Sequence, residues 1–297
     1  MTGGGDAAGS GPAEARSSAP TARRMILGAQ LRRLRESAEL SRADAGFTIR
    51  ASESKMSRLE AGKVGFKERD VMDLLTTYGV DDPAEREAFL DLVKQSNRQG
   101  WWHRYNDVIP SWFNDFVGLE ESASIIQSYE HQFVPGLLQT EDYARAVMTH
   151  GRPQYATDDI EQRIDVRRRR QRILARPGAP HLWAVIDESV LHRPIGGRKV
   201  LNAQINALLD ATSMPHITVQ ILTYDRNTNA AEGAFTMLRF AEKELPTLVY
   251  IEHLTGALYL DRLDEVEAYG RVRDTLAVDA ETPEDSRQIL AKLRADV

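Results

Sequence analysis

Residues Ser41 to Gly62 read SRADAGFTIRASESKMSRLEAG, and their spacing predicts two short helices joined by a tight turn. Ser41 followed three residues later by Asp44 has the form of a capping box that opens the first helix, although Glu or Gln is the more usual partner. Ala45, Gly46 and Ile49 then supply a small apolar face on which another helix can sit closely. Ser52 caps the second helix, Glu53 to Glu60, and Gly62 ends it, since glycine takes the left-handed conformation past a helix end without a Cβ penalty. Met56 and Leu59, three apart, point to the core. Glu53, Ser54, Ser57 and Arg58 are left on the outer side. A small, polar and basic second helix is how a recognition helix is offered to the DNA major groove.

Working outward, Leu27, Leu31, Leu34 and Ala38 recur along one stripe of an amphipathic helix, with Arg32, Arg33 and Arg35 at the other positions. Val71, Leu74, Leu75 and Tyr78 repeat the pattern downstream, so four or five short helices make one bundle. Between Arg23 and Arg69 there are twelve Lys or Arg against six Asp or Glu, a local balance of +6 in a chain whose net charge is −6. The basic charge is gathered where a phosphate backbone would lie.

On these residues, Met25 to about Val80 resembles the Cro and phage-repressor type of helix-turn-helix domain, the Xre family. The resemblance implies base contacts from Glu53, Ser54 and Arg58, which the outward-facing Ser57 joins, and phosphate contacts from Arg42, Lys55, Lys63 and Lys67. It also implies an internal ion pair between Arg35 and Glu60. One position departs from the family pattern: Arg50 stands where glycine is common in the turn. A left-handed conformation there costs a non-glycine residue about 1–2 kcal/mol, and a longer turn is the expected way round it.

With 297 residues the chain has room for a second, larger domain. It has no cysteine, so disulfides and thiolate metal sites are excluded, which suits a reducing cytoplasm. No apolar run approaches the roughly 20 residues that span a membrane. The expected organisation is a disordered tail over 1–22, a helix-turn-helix domain over 23–82, a helical and aromatic connector over 83–112, and an α/β sensor or partner-binding domain over 113–297. The fold class is α+β: an N-terminal all-α helix-turn-helix bundle followed by an α/β domain with a mixed sheet.

The connector carries GWWHRYNDVIPSWF, in which Trp101, Trp102, Tyr105, Trp112 and Phe113 crowd together in a chain only 7% aromatic. Such rings either pin two domains together, each burying a large area, or wall a partner or ligand surface. Beyond them, Ser124 to Phe133 is strand-like in part, Thr140 caps a helix, and Asp158 to Leu174 is a long charged helix. HLWAVID (181–187), ITVQIL (217–222), AFTMLRF (234–240) and TLVYIE (247–252) are expected strands. Val200 to Ala211, Leu263 to Ala277 and Glu284 to Ala295 are expected helices.

The phrases GWWHRY, FVGLEESAS, YEHQFVPGLLQTEDYARAVM, RRRRQRIL, WAVIDESVLHRPIGG and GALYLDR resemble a domain that actinomycete bacteria place behind an Xre-type module. Its members are similar to developmental and antitoxin-like regulators, commonly encoded beside a very short partner protein. The resemblance supplies no catalytic residues, and the residues themselves lead us to expect no cofactor and no metal. Glu188 and His192, four apart, lack an HExxH context, and Glu252 and His253 are adjacent on a strand and point to opposite sides. The run Arg167 to Arg170 covers more than one helical turn, so at least one arginine must lie near the protein. The expected function is sequence-specific transcriptional regulation by a homodimer on a palindromic operator in double-stranded DNA. The alternative is an antitoxin-like protein whose main task is sequestering a small partner protein.

Overall fold

The computed structural model describes residues 20–151, 157–226 and 233–296. Five helices come first: α1 (Pro20–Ser37), α2 (Arg42–Thr48), α3 (Glu53–Glu60), α4 (Glu68–Thr77) and α5 (Pro83–Ser96). Leu27 and Leu31 of α1, Met56 and Leu59 of α3, and Val71, Leu74 and Leu75 of α4 meet in one core, as their spacing predicts. Phe89 and Val93 of α5 belong to the same core, so the bundle runs past residue 82 and takes in a helix expected in the connector. The tail also shortens. Helix α1 begins at Pro20, a residue whose fixed φ suits a first helical turn, and Thr21 and Ala22 are 5% and 0% exposed. The expectation for residues 1–19 lies outside the described residues.

The first four helices all stop in the same way. The second residue past each is left-handed: Glu39 (φ 56°), Arg50 (φ 54°), Gly62 (φ 67°) and Gly79 (φ 75°). In each case the next N–H reaches back five residues: Leu40 to Arg35, Ala51 to Gly46, Lys63 to Arg58 and Val80 to Leu75. These are Schellman ends, which satisfy the last helical carbonyls. Arg50 therefore accepts the left-handed conformation, and the turn between α2 and α3 keeps its four residues rather than lengthening.

A 3-10 turn (Trp101–Tyr105) leads into the second domain, whose elements are α6 (Ser111–Ser122), β1 (Ile125–Glu130), α7 (Glu141–Gly151), α8 (Thr157–Gln171), β2 (His181–Asp187), α9 (Glu188–His192), α10 (Arg198–Ala211), β3 (Ile217–Leu222), β4 (Phe235–Arg239), β5 (Leu248–His253), β6 (Gly256–Leu260), α11 (Leu263–Asp279) and α12 (Pro283–Asp296). The strands form one sheet in the order β3-β2-β1-β4-β5-β6. β1, β2 and β3 are parallel, while β4, β5 and β6 each run antiparallel to their neighbours, so the sheet is mixed. The four expected strands are present. β6 is a further strand without a clear signal of its own, because GALYL is a short run opened by glycine.

Helices cover both faces, and the strands read accordingly. β2 is apolar nearly throughout because Leu182, Ala184 and Ile186 pack on one side and Val185 on the other. The larger core gathers Phe116 and Leu119 of α6, Tyr143 of α7, Ile205 and Leu208 of α10 and Leu290 of α12. The smaller core sets Leu276 of α11 against Tyr129, Phe235 and Val249. The two domains share α1: Ala22 and Ile26 pack with Leu245, and a methyl added at Gly118 of α6 would meet the Thr21 side chain.

Candidate nucleic-acid interface

The second helix of the motif is built as its sequence requires. Ser52 Oγ accepts the Lys55 N–H at 3.2 Å, and Met56, Leu59 and Glu60 are buried. Glu53, Ser54, Ser57 and Arg58 are all exposed on the opposite side, so the four expected base-reading residues share one solvent face. Ser41 and Asp44 form a complete capping box on α2, each accepting from the other's backbone N–H. α1 backs the pair closely. A methyl at Gly28 would come within 2.7 Å of the Leu59 carbonyl, and one at Gly62 within 2.7 Å of Met25 Cα. The end of α3 therefore rests directly on the α1 backbone.

Glu60 is the anchor beneath this face. Arg35 Nε donates to Glu60 Oε1 at 2.5 Å and its second nitrogen to Oε2 at 3.2 Å, with both side chains buried. Arg35 also donates to the Leu40 carbonyl at 2.7 Å, which fixes the chain between α1 and α2. The Glu60 hydrogen bond and charge raise the Arg35 pKa against the cost of burial. Arg42, expected at a phosphate, donates from Nε to Glu60 Oε2 at 3.1 Å and remains partly exposed. Its position is thus set by the same carboxylate that holds Arg35.

Of the other expected phosphate contacts, Lys63 and Lys67 are exposed on the loop between α3 and α4, whereas Lys55 is half-buried. That loop is held by a residue with no local signal. Asn97, just past α5, donates from Nδ2 to the Phe66 carbonyl at 2.6 Å and accepts the Phe66 N–H at 3.3 Å. The two bonds mimic a strand pair and fix the loop from thirty-one residues away. Arg50 is exposed at the turn, and Phe47, 87% exposed, lines an open recess with Thr48, Arg50 and Ala51 beside the start of α3. Neither was singled out as a contact from sequence.

The aromatic connector is largely interior. Trp102 and Tyr105 are 1% and 6% exposed and pack with Val117 of α6 and Val166 of α8. The expectation that these two wall a partner or ligand surface is therefore corrected: buried, they pack the connector against α6 and α8 of the second domain. Trp101, Trp112 and Phe113 are half-buried. The Tyr105 hydroxyl donates to Asp165, and Arg169 lies 5.8 Å from the Trp101 ring centre.

The four arginines of α8 divide their roles. Arg168 is exposed and pairs with Asp165 at 2.9 Å. Arg169 pairs with the same carboxylate at 3.0 Å. Arg170 is buried against Glu120 of α6 by two bonds of 2.7 and 2.8 Å, beneath the Phe113 and Phe116 rings. Arg167 donates to Gln139, and burial together with Arg170 lowers its pKa to about 10. Near it, Glu130 at the end of β1 is pushed up to about 8 by burial and by the Glu252 carboxylate. His192 Nε2 lies 3.3 Å from Glu188 Oε1, a helical i,i+4 pair. Among the described residues no three His, Asp or Glu side chains stand together as a metal set, and no helix is long and apolar enough to cross a membrane.

Two family models match the chain. One, described as a helix-turn-helix domain, covers residues 26–89. The other, described as a domain of unknown function (DUF5753), covers residues 113–292, more than half of the chain. No curated protein and no solved structure matches. The chain therefore carries a helix-turn-helix DNA-binding domain of the kind that transcriptional regulators use, joined to a second domain with a mixed six-stranded sheet.

Proposed function

From the premise that the chain belongs to the family of the domain of unknown function DUF5753, we propose that it is a sequence-specific transcriptional regulator acting as a homodimer on a palindromic operator. The observation that carries this is the single exposed face of α3, where Glu53, Ser54, Ser57 and Arg58 stand clear of the core while Glu60 is locked behind them. One eight-residue helix reads few base pairs. Two-fold pairing doubles the site and sets half-sites about one DNA turn, roughly 34 Å, apart.

In this reading Arg58 pairs with guanine and Glu53 accepts from a cytosine amino group, with Ser54 and Ser57 completing the base contacts. Arg42, Lys55, Lys63 and Lys67 hold phosphates, which sets affinity and its salt dependence rather than sequence preference. The second domain binds a small partner protein or effector and passes that state to the bundle through α1, the helix both domains share. The likeness to Xre-type and antitoxin-like actinomycete regulators supports this division of labour.

The test is genome-wide chromatin binding of a tagged copy in its native host, with mass spectrometry of what co-purifies. Sharp peaks sharing a palindrome are the expected result, and the recovered material names the partner. No enrichment anywhere, with a small protein recovered in stoichiometric amount, overturns the operator reading in favour of sequestration.

A further inference from the structure

The two edges of the sheet are finished differently. At the β3 edge, the Ile221 carbonyl accepts the Glu281 N–H at 2.9 Å and the Ile221 N–H donates to Ser286 Oγ at 2.9 Å. Gln220 Nε2 adds a bond of 2.9 Å to the Glu281 carbonyl, so the segment leading into α12 closes this edge. At the other end β6 is paired on one side only, by β5, and among the described residues no strand lies beyond it.

An open edge is a template for another strand, and proteins blunt it with lysine, proline, a bulge or a covering element. β6 has no such residue. Leu254 to Leu260 reads LTGALYL, seven residues without a charge or a proline in a chain that is 28% charged. Leu258, 51% exposed, is paired with Ile251 and so lies on the α11 side of the sheet. Leu263, which opens α11, is 74% exposed close by in sequence.

We propose that β6 pairs with β6 of a second copy of this chain, antiparallel about a two-fold axis at Leu258, so that one continuous sheet runs through both protomers. The strand is suited to itself. Centring the pairing on Leu258 sets Gly256 opposite Leu260 and Ala257 opposite Tyr259, a small residue against a large one on each face. Just outside, Asp261 meets Thr255 and Arg262 meets Leu254, so no like charges face each other. A two-fold axis makes the added strand antiparallel, which continues the alternation of β4, β5 and β6. This rests on the homodimer reading and names the surface that forms it.

The chain has no cysteine, so a single introduced thiol reports without background. In the full chain, Leu258→Cys under mild oxidation is expected to give a covalent dimer, while Asp210→Cys on the exposed side of α10 gives none. Leu258→Lys is expected to weaken dimerisation by about tenfold or more in sedimentation equilibrium. A wild-type chain that stays monomeric at micromolar concentration overturns the proposal, as does a dimer that ignores Leu258→Lys and fails to cross-link through position 258. Should Leu258→Lys fail to fold, the cysteine variant alone decides. A cross-linked dimer that binds no operator sinks the DNA reading and leaves this surface standing; a monomer that binds DNA does the reverse.

Discussion

Arg35 and Arg170 are matched in burial, each 7% exposed at the side chain against a glutamate at 3%, yet the two pairs are embedded differently. Arg35 lies in the helical bundle with further acceptors: the Leu40 carbonyl at 2.7 Å and the half-exposed Glu36 carboxylate at 3.4 Å. Its partner Glu60 likewise has a second donor in Arg42. Arg170 has Glu120 and, over it, two aromatic rings. Removing one charge of a buried pair is damaging because the other is left uncompensated, whereas replacing both with apolar groups is often nearly neutral. The comparison teaches that the remaining acceptors, more than the pair's own geometry, decide how much a single deletion harms.

The largest effect is expected for Glu120→Ala, which strands Arg170 between α8 and α6 and should destabilise the second domain by about 3–5 kcal/mol. Thermal unfolding followed by calorimetry reads this directly. Glu120→Leu combined with Arg170→Met is expected to recover most of the loss, and failure to recover would break the argument from uncompensated charge. Glu60→Ala should cost less, toward about 3 kcal/mol, because Arg35 keeps the Leu40 carbonyl and Glu36. An equal loss in the two single variants would mean that those extra acceptors contribute nothing.

A third test separates pairs from lone carboxyls. Glu130 is pushed up to about 8 from an ordinary 4.5, so the folded state holds its proton more tightly than the unfolded chain does. Stability from this group is fully present below the unfolded value and is lost as pH rises toward about 8, with a slope of at most about 1.4 kcal/mol per pH unit. Glu130→Gln should therefore flatten the fall in stability between those two values and leave the acid side unchanged. A pH profile identical to wild type would show that Arg167, close by, keeps Glu130 ionised in the folded protein.

Within the DNA-facing surface the same contrast can be drawn between base and phosphate contacts. Arg58→Ala is expected to weaken operator binding by about 1–3 kcal/mol and to relax sequence preference, whereas Lys63→Ala should weaken all sequences alike and reduce the salt slope by about 1. Equal loss on operator and random DNA for Arg58→Ala would remove it from the base contacts.

The bundle was legible because its signals are local. The Ser41 and Asp44 capping box, the Ser52 cap and the Met56 and Leu59 spacing each lie within a few residues, and the folded chain uses all of them. Asn97 was not legible, since its bonds to Phe66 cross thirty-one residues and nothing near it marks the role. In the second domain the central strands declared themselves by continuous apolar runs, but β6 did not. Four consecutive arginines announced that one must turn inward; which one depends on Glu120, fifty residues earlier, and only the packing of α6 against α8 selects Arg170.

The smallest effect concerns Arg50, where sequence named the strain but expected the wrong relief. A left-handed arginine is disfavoured by about 1–2 kcal/mol, yet the turn retains its length because the Ala51 N–H reaches the Gly46 carbonyl at 2.8 Å. Arg50→Gly is thus expected to relieve strain in the folded state while adding freedom to the unfolded chain, for a net gain of about 0.5–1 kcal/mol. Glu39 carries the same φ at the end of α1 and should respond to glycine in the same way. A gain at Glu39 with none at Arg50, measured by denaturant midpoint at constant slope, would show that the Arg50 side chain itself stabilises the turn, and that its place beside α3 is maintained by more than the backbone.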